Sequence, residues 1–325
     1  MSVAVIGAGM SGLVAAHVSD YTALILESRE RLQTHFGDMV GARFLHDSPE
    51  LRELFGYSGP AETVSVSSDT TDRESGLADY VRKTRQCELE EIPPSEREST
   101  MNWGQGSFQY IPADVNAWAE QAAQKAGAVF GAEVQKVWRN GSTFLGLRGD
   151  RTIEAERVLF TIPMPVMMRI VGMGSDDFRT WPTTVGQFRV SPRRQLPTTM
   201  HYITNPAVPV TRVTSHGSKI IVEASSFQTP ELLSLMGEIA EEHLAHLGFL
   251  RLHLEAVGFG TFGHHLRYFS DFMTRRQDAL ARLADLGLLP LGRYAQYSHR
   301  IKTLETYHEA KRLLGRKQLT PEELG

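Results

Sequence analysis

The stretch Val3–Leu13, with the sequence V-A-V-I-G-A-G-M-S-G-L, decides the fold of this chain. Its apolar start predicts a buried parallel strand, and the pattern G-x-G-x-x-G that follows predicts a tight turn into a helix. A second apolar run, A-L-I-L, ends at Glu27, about 20 residues beyond the first glycine. A lone G-x-G-x-x-G is weak evidence, but here the strand, the helix and the acid agree in spacing. The stretch therefore predicts a dinucleotide-binding site.

Each residue type in this motif has a physical reason. Gly7 allows the tight turn, Gly9 lets the backbone approach a pyrophosphate, and Gly12 lets the helix pack close to the sheet. The helix predicted over Ser11–Val18 would point its N-terminal N–H groups at the phosphates, and Glu27 would accept hydrogen bonds from ribose hydroxyls. One alternative is a glycine-rich turn without a ligand. A secretory signal peptide is not expected, because the start has no basic region and glycines interrupt the apolar run.

The composition is that of a globular protein, since 41% of the 325 residues are hydrophobic and 22% are charged. The net charge of −4 argues against nucleic-acid binding driven by overall charge, although a local basic patch is compatible with it. The single cysteine, Cys87, permits no intramolecular disulfide and indicates a reducing compartment. No apolar stretch reaches the roughly 18 residues of a membrane-spanning helix. We therefore expect a soluble, cytoplasmic protein without a membrane partner.

Hydrophobic periodicity predicts the remaining elements. Residues 183–225 alternate apolar and polar side chains and are rich in β-branched residues, which predicts an antiparallel sheet. Arg82–Thr100 is dense in charge and contains two adjacent prolines, which predicts a surface loop. His243 and His246 lie on a predicted helix without a cysteine or acid cluster, so we expect a solvated helix face there and no metal site. Helices are predicted over Asp114–Ala126, Glu231–Leu247, Asp278–Leu286 and Lys302–Leu314.

The order of the elements predicts two domains. The glycine motif lies at the start, the last strand pattern, Leu288–Arg293, lies near the far end, and the antiparallel section lies between them. A doubly wound parallel sheet would not contain that section. We therefore predict an α/β fold, with a Rossmann-like dinucleotide-binding domain built from both ends of the chain and an inserted antiparallel-sheet (α+β) substrate domain. The predicted boundaries are 1–46, 107–165 and 255–325 for the dinucleotide-binding domain, and 47–106 and 166–254 for the substrate domain.

Four further stretches occur in an order that resembles a known group of proteins. Val40–His46 (V-G-A-R-F-L-H) is similar to the G-A-H-x-F-H strand of UDP-galactopyranose mutases, and Asn205–Val213 looks like their P-Y-T-R-I strand. Glu156–Ile170 is similar to the V-x-x-T-x-P-x-P-x-x-x-x-I segment of amine oxidases, and Leu291–Tyr297 resembles a late G-R-x-x-x-Y segment of the mutases. The chain thus resembles the glutathione-reductase-like FAD flavoproteins of the amine oxidase, protoporphyrinogen oxidase and UDP-galactopyranose mutase branch.

The resemblance implies that FAD is the cofactor. It implies that the glycine turn contacts the pyrophosphate, that Glu27 holds the adenosine ribose and that the backbone of Val134 contacts adenine. It also implies that the last helix aims its N-terminus at the flavin ring, where it would stabilise negative charge on the reduced flavin. The implied cofactor-binding residues are Gly7, Gly9, Met10, Ser11, Gly12, Glu27, Arg43, Val134, Gly292, Arg293, Lys302 and Thr303.

Three residues are candidates for the chemistry. The resemblance places His46 where the mutases keep a histidine near the flavin, and it places Arg212, with Arg43 and Arg267, on strands brought toward the flavin. Because arginine suits bidentate capture of a carboxylate or phosphate, we expect a substrate with an anionic group. Tyr268 is an aromatic residue that could face the flavin or the substrate. The alternatives are a satisfied histidine at a strand end, arginines paired with acids, and a tyrosine packed in the core.

These expectations favour an FAD-dependent oxidoreductase that oxidises a C–N bond of a small polar, anionic substrate by hydride transfer to flavin N5. A nucleotide-linked substrate or modified nucleic acid is compatible with the short basic pairs of the sequence. One departure is that the segment between Gly172 and Thr211 has no lysine, whereas amine oxidases of this branch often keep one there. The alternatives are a mutase-type reaction on a sugar nucleotide, without net redox change, and a non-catalytic FAD- or nucleotide-binding module.

Overall fold

The computed structural model of the chain describes residues 2–32, 44–94, 96–97, 106–176, 178–269, 271–298 and 300–315. None of the helices within these residues is long and apolar enough to cross a membrane. The helices are α1 Met10–Val18, α2 Pro49–Phe55, α3 Arg73–Arg85, α4 Val115–Lys125, α5 Met164–Ile170, α6 Pro230–His246, α7 Phe272–Asp285 and α8 Thr303–Gly315. The strands are β1 Val3–Ile6, β2 Leu24–Leu26, β3 Leu45–His46, β4 Glu62–Ser68, β5 Gly106–Ile111, β6 Val134–Asn140, β7 Ser142–Leu147, β8 Thr152–Ala155, β9 Arg157–Phe160, β10 Thr180–Ser191, β11 Leu196–Tyr202, β12 Val210–Gly217, β13 Lys219–Ala224, β14 His253–Leu266 and β15 Leu288–Pro290.

The opening motif belongs to a four-stranded sheet with the strand order β15-β9-β1-β2. All three pairings are parallel, so strands from the start, the middle and the far end of the chain lie side by side. Val5 of β1 packs with Leu13 of α1 and Tyr307 of α8 on one face. Ile6 packs with Leu145 of β7 on the other face, where β6, β7 and β8 form a separate three-stranded sheet. Both faces of the parallel sheet are covered, which explains its short, continuously apolar strands.

A second sheet has eight strands in the order β14-β10-β13-β12-β11-β4-β5-β3. Its pairings are antiparallel except for β11 with β4, and β10 through β13 confirm the antiparallel sheet predicted over residues 183–225. Helix α6 covers one face of this sheet. Its buried residues Leu232, Met236 and Ala240 are spaced by four and pack with Val222 of β13, which is the pattern of a helix with one apolar stripe.

The two sheets confirm the predicted fold class, an α/β Rossmann-like layer with an inserted sheet. The four helices predicted from periodicity are present as α4, α6, α7 and α8, although α7 begins earlier than predicted, at Phe272. β3 and β5 join the eight-stranded sheet, whereas the predicted boundaries of 1–46 and 107–165 assign them to the dinucleotide-binding domain. The domain boundaries stay a prediction.

The charged segment predicted as a loop over Arg82–Thr100 is helical in its first part. α3 continues to Arg85, and a short 3-10 helix follows at Leu89–Glu91. The ammonium group of Lys83 donates a hydrogen bond at 2.9 Å to the carbonyl of Ile203, 120 residues away, and burial lowers the pKa of Lys83 to about 8. The loop prediction was wrong because a polar side chain anchors this helix through a distant partner, which hydrophobic periodicity does not detect.

The tightest contact of the parallel layer lies between α1 and the turn that follows β1. A Cβ atom on Gly12 would lie 2.0 Å from the carbonyl oxygen of Gly7, whereas a Cβ atom on Gly9 would meet no described atom within 4 Å. The hydroxyl of Thr161, just after β9, donates to the carbonyls of Ile6 and Gly7 at 3.0 and 3.1 Å. Helix α1 therefore starts in direct contact with the backbone of the turn.

His243 is half-buried where α6 packs against the large sheet, which corrects the expectation of a solvated helix face at this residue. The Nε2 atom of His243 lies 3.2 Å from Oγ1 of Thr199 in β11, and its ring centre lies 6.4 Å from that of His201. Burial, followed by the neighbouring His201 and His246, lowers the pKa of His243 to about 4. His246, on the same helix, is exposed.

We expect acid to destabilise the fold through His243. The unfolded residue titrates near 6.5 and the native residue near 4, so the unfolded state binds more protons between these values. The free energy of unfolding should fall as the pH drops through this window, by on the order of 2 kcal/mol from this group. Urea unfolding at several pH values measures the fall. His243→Gln should remove this contribution, whereas the exposed change His246→Gln, which removes only the last-named cause of the lowered pKa, should flatten the fall much less; equal slopes in the two variants would contradict the prediction.

A second expectation concerns the contact between α1 and the turn. Gly12→Ala should lower the free energy of unfolding by about 2–3 kcal/mol, because its methyl group would overlap the carbonyl oxygen of Gly7 and push the helix outward. Gly9→Ala is the matched control, since its methyl group would enter open space and its φ of −69° suits alanine. Its stability should stay within about 0.5 kcal/mol of the wild type. Chemical unfolding measures the free energy of unfolding of both variants. A Gly12→Ala variant as stable as Gly9→Ala would show that the contact with Gly7 does not constrain the helix.

Candidate functional site

The turn after β1 leaves the start of α1 without a side-chain cap. Gly7 has a φ of +105°, a conformation that favours glycine. Gly9 is the N-cap residue of α1, and among the described residues no side chain accepts a hydrogen bond from the first turn. Met10, Ser11 and Gly12 form that first turn, and the space beside Gly9 is open. A helix N-terminus with unsatisfied N–H groups and a positive dipole end favours an anion.

Glu27 follows β2 and is tied to the glycine turn by its carboxylate. Its Oε2 atom accepts a hydrogen bond from the N–H of Ala8 at 2.8 Å, and its Oε1 atom accepts one from the N–H of Arg29 at 3.0 Å. Its own N–H donates to the carbonyl of Val129 at 2.9 Å. A carboxylate offers about four acceptor directions, so these bonds fix the group and leave capacity for the hydroxyls of a ribose.

Val134 begins β6, in the connection that passes Glu27. The N–H of Ala132 donates at 2.8 Å to the carbonyl of Glu27, which places this connection beside the carboxylate. Val134 itself is buried and pairs with Leu147 of β7. Val134 lies two residues after Ala132, so the fold brings it near the backbone of Glu27. The contact of Val134 with adenine stays a prediction.

The far end of the chain reaches the same turn through Gly292. This residue follows β15 with a φ of +92°, and a Cβ atom on it would lie 2.1 Å from Oγ of Ser11. Both the backbone conformation and the close approach therefore require glycine at this position. The next residue, Arg293, donates from Nε to the carbonyl of Ile301 at 3.1 Å. This bond joins the two ends of a loop, residues 293–301 with 299 outside the described part, and the loop ends just before α8 begins.

Three basic side chains influence one another at the start of α8. Burial, and then the charge of Arg293, lowers the pKa of Lys302, which directly precedes Thr303, the first residue of α8. Burial, and then the charge of Lys302, lowers the pKa of His46 at the end of β3, while Glu305 acts in the opposite direction. These couplings place the three cationic groups near one another in surroundings of reduced dielectric. Together with the positive end of the α8 dipole, they favour an anion.

Arg212 lies on β12 in the large sheet, where its charge is already paired. Its Nη2 atom donates to Oε2 of Glu223 in β13 at 2.5 Å, and its guanidinium lies 5.9 Å from the ring centre of Tyr202. Burial opposes the charge, but Glu223 and the tyrosines nearby outweigh it and raise the pKa of Arg212. Capture of a substrate anion would have to compete with Glu223. The catalytic role of Arg212 stays a prediction.

Tyr268 is buried beside a second carboxylate, that of Glu96. The tyrosine is 3% exposed, and its hydroxyl donates to Oε2 of Glu96 at 3.0 Å. Its ring contacts Phe272 edge to face, with 4.6 Å between ring centres, and lies 5.5 Å from the guanidinium carbon of Arg85. These contacts agree with the alternative of a tyrosine packed in the core with its hydroxyl satisfied. Its role in chemistry stays a prediction.

Two polar residues that hold these segments together are absent from the predicted site residues. Thr161 had a usable signal, because it is a hydroxyl residue directly after a buried strand and within the T-x-P segment. Glu96 had none, because it is one of several acids in a charge-dense segment. Arg43, predicted to bind the cofactor, lies outside the described residues.

The parallel layer, the glycine turn and the inserted sheet define a Rossmann-like dinucleotide fold. No protein-family model matches the chain, and no curated protein matches it in sequence. Solved structures do match. The chain is similar to the CLA-producing fatty acid isomerase from P. acnes, with a TM-score of 0.63 and 12% identity over 98% of both chains. It is similar to reduced UDP-galactopyranose mutase, with a TM-score of 0.64 and 12% identity over 98% of this chain and 96% of the mutase.

A third solved structure is that of aklavinone-11 hydroxylase in a ternary complex with FAD and aklavinone. It matches with a TM-score of 0.56 and 12% identity, over 97% of this chain and 62% of the hydroxylase. At this level of identity, the similarities establish a common fold. The resemblance drawn from the motifs is thereby confirmed as a shared fold.

The charge cluster at α8 predicts opposite shifts in the titration of His46. Lys302→Met should raise the pKa of His46, because the charge of Lys302 lowers it, and Glu305→Gln should lower that pKa further, because the charge of Glu305 raises it. NMR titration of the His46 ring protons, in protein freed of ligand, measures both. Shifts of the same sign in the two variants, or no shift in either, would show that His46 is not electrostatically coupled to Lys302 and Glu305.

Proposed function

We propose that this chain binds FAD and is an FAD-dependent oxidoreductase. The observation that carries the proposal is the meeting of two helix starts at the contact between Ser11 and Gly292. One is the first turn of α1, which has no side-chain cap, and the other is α8, which begins beside Arg293 and Lys302. Two anion-favouring helix ends in one place suit a ligand with a pyrophosphate at its centre.

The residues present fit such a cofactor. The open space beside Gly9 is a cradle that any Cβ atom would begin to fill, as close approach of a pyrophosphate requires. The carboxylate of Glu27, fixed by two N–H donors, would hold the adenosine ribose. The start of α8 suits the negative charge of a reduced flavin, which favours FAD over a nicotinamide dinucleotide. The similarity to a hydroxylase that was solved with FAD supports this choice.

In this proposal the cofactor supplies the hydride acceptor, the N5 atom of the isoalloxazine ring. The chain itself binds and orients the reactants. Lys302 and the N–H groups at the start of α8 would stabilise negative charge on the flavin ring. Because the pKa of His46 is lowered, its imidazole is neutral at pH 7, and a ring nitrogen could accept a proton from a substrate amine.

The substrate we propose is a small polar molecule with an anionic group, oxidised at a C–N bond. Glu223 neutralises Arg212, so we assign the substrate anion to Lys302 and leave His46 as the neutral base. The buried Cys87, whose pKa is raised by burial to about 11, suits a protein of a reducing compartment such as the cytoplasm.

A second candidate is a mutase-type reaction on a sugar nucleotide. The positive charges beside Lys302 and His46, which lower the pKa of each, favour it, because a nucleoside diphosphate would offset this repulsion with two phosphates. The end-to-end match to UDP-galactopyranose mutase supports it at the level of fold.

The test of FAD binding uses two matched glycine substitutions. The purified protein should be yellow, and protein stripped of FAD should quench FAD fluorescence on titration. Gly9→Val should weaken FAD binding at least about a hundredfold, because its side chain would occupy the place of the pyrophosphate. Gly174→Val is the control, since this glycine also has no described atom near its Cβ position and no positive φ. A colourless protein that cannot be reconstituted would refute the proposal, and so would a Gly9→Val variant that binds FAD like Gly174→Val.

The reaction class is separated by anaerobic spectroscopy of the FAD-loaded protein. An amine oxidase should lose its absorption near 450 nm when small anionic amines are added. A mutase should bind a sugar nucleotide only weakly until its flavin is reduced, and it should then convert the sugar without net oxidation. If protein that binds FAD tightly shows neither response, the result identifies a binding module.

A further inference from the structure

We propose that Glu96 is a positioning residue for the anion-binding end of the FAD site. Its buried carboxylate fixes the loop of residues 293–301, and this loop sets the positions of Arg293 and Lys302. The inference rests on the proposed binding of FAD.

Three donors from two distant segments converge on the Glu96 carboxylate. Glu96 is 2% exposed. Its Oε1 atom accepts a hydrogen bond from the hydroxyl of Ser298 at 2.6 Å, and its Oε2 atom accepts from the hydroxyl of Tyr268 at 3.0 Å and the N–H of Arg300 at 3.2 Å. Ser298 is itself buried. A carboxylate is acceptor-only, so all three donors are matched at once.

The positive charge near this carboxylate explains how it is tolerated in the interior. Arg276 donates from Nε to the carbonyl of Gln296 at 2.7 Å, within the same loop. Burial lowers the pKa of Arg276, and the nearby charge of Glu96 acts against that lowering. A buried ion of one sign is costly unless donors and an opposite charge surround it. Glu96 and Arg276 therefore hold the loop from its two sides.

Hydrogen bonds within the loop connect the residues held by Glu96 to Arg293 and Lys302. The N–H of Ser298 donates at 3.0 Å to the carbonyl of Arg293, and the side chain of Arg293 donates to Ile301. Arg300, held by Glu96 through its N–H, lies two residues before Lys302. The N–H of Lys302 in turn donates at 3.0 Å to the carboxylate of Glu305 in the first turn of α8. Glu96 thus constrains both cations through the backbone of this loop.

The test is the substitution Glu96→Gln. The amide would keep the size of the side chain, but its NH2 group would face donors where an acceptor is needed, so the loop should shift locally. We expect FAD affinity to fall about tenfold or more. We also expect the visible circular dichroism of the bound flavin to change, because the ring would sit differently against the start of α8.

Asp69→Asn is the matched control. Asp69 also accepts several hydrogen bonds from a distant loop, from the N–H and hydroxyl of Thr204 and the N–H of Asn205. It shares no hydrogen-bond partner with the loop of residues 293–301 among the described contacts. Its substitution should lower the melting temperature and leave FAD affinity within about twofold of the wild type. A role of Glu96 in stability alone would make the two variants alike in FAD binding.

The outcomes separate the two proposals. Wild-type protein that binds no FAD would refute the proposed function and this inference with it. Wild-type protein that binds FAD, together with a Glu96→Gln variant that binds it equally well, would overturn the inference alone. Should Glu96→Gln fail to fold, Ser298→Ala removes one donor and keeps the carboxylate. It should weaken FAD binding by more than Asp69→Asn does, and an affinity equal to that of Asp69→Asn would overturn the inference.

Discussion

The contact between α1 and the turn after β1 is the constraint on which the site depends. With no side chain at Gly12, the helix rests against the carbonyl oxygen of Gly7. The hydroxyl of Thr161 holds the same carbonyl from the neighbouring strand. Because the turn is fixed from both sides, the first turn of α1 is fixed at the carboxyl edge of the parallel sheet. Ligands of open α/β sheets bind at this edge.

The same edge explains why the far end of the chain is needed. β15 adds to the sheet beside β9, and Gly292 then passes against Ser11. The chain leaves the parallel layer after β2 and returns to it through β9 and β15, with the large sheet built from the intervening segments. The core between them includes Phe178, Tyr268 and Tyr297. The two ends of the chain thus build the edge of the parallel sheet where the glycine turn lies, and the intervening segments build the large sheet.

Local sequence determined the parts of this structure whose physics is local. The glycine turn, Glu27 and the buried strands follow from spacing and periodicity, and the alternation in 183–225 predicted the large sheet. The rest depends on partners that are distant along the chain. Ser298 is 202 residues from Glu96, so no pattern around Glu96 could reveal their hydrogen bond.

Arg212 and His243 show the same limit within the large sheet. The partner of Arg212 is only 11 residues away, but their pairing requires the register of β12 against β13. His243 lies on the face of α6 that meets Thr199, and two histidines on one helix do not by themselves tell which face is buried. The sequence therefore predicted a solvated face for His243 and a role in substrate binding for Arg212, because neither contact follows from a local pattern.

The pairing of charges differs between the large sheet and the start of α8. Inside the insertion, Glu223 is matched by Arg212, and the Glu96 carboxylate is matched by its donors. At the start of α8 the balance differs: burial and the charge of Arg293 lower the pKa of Lys302, and burial and the charge of Lys302 lower the pKa of His46, while Glu305 opposes both shifts. Like charges held together raise the free energy of the folded state unless an anion offsets them. In the proposed function, a bound anion would offset the repulsion between Arg293 and Lys302 that Glu305 leaves uncompensated.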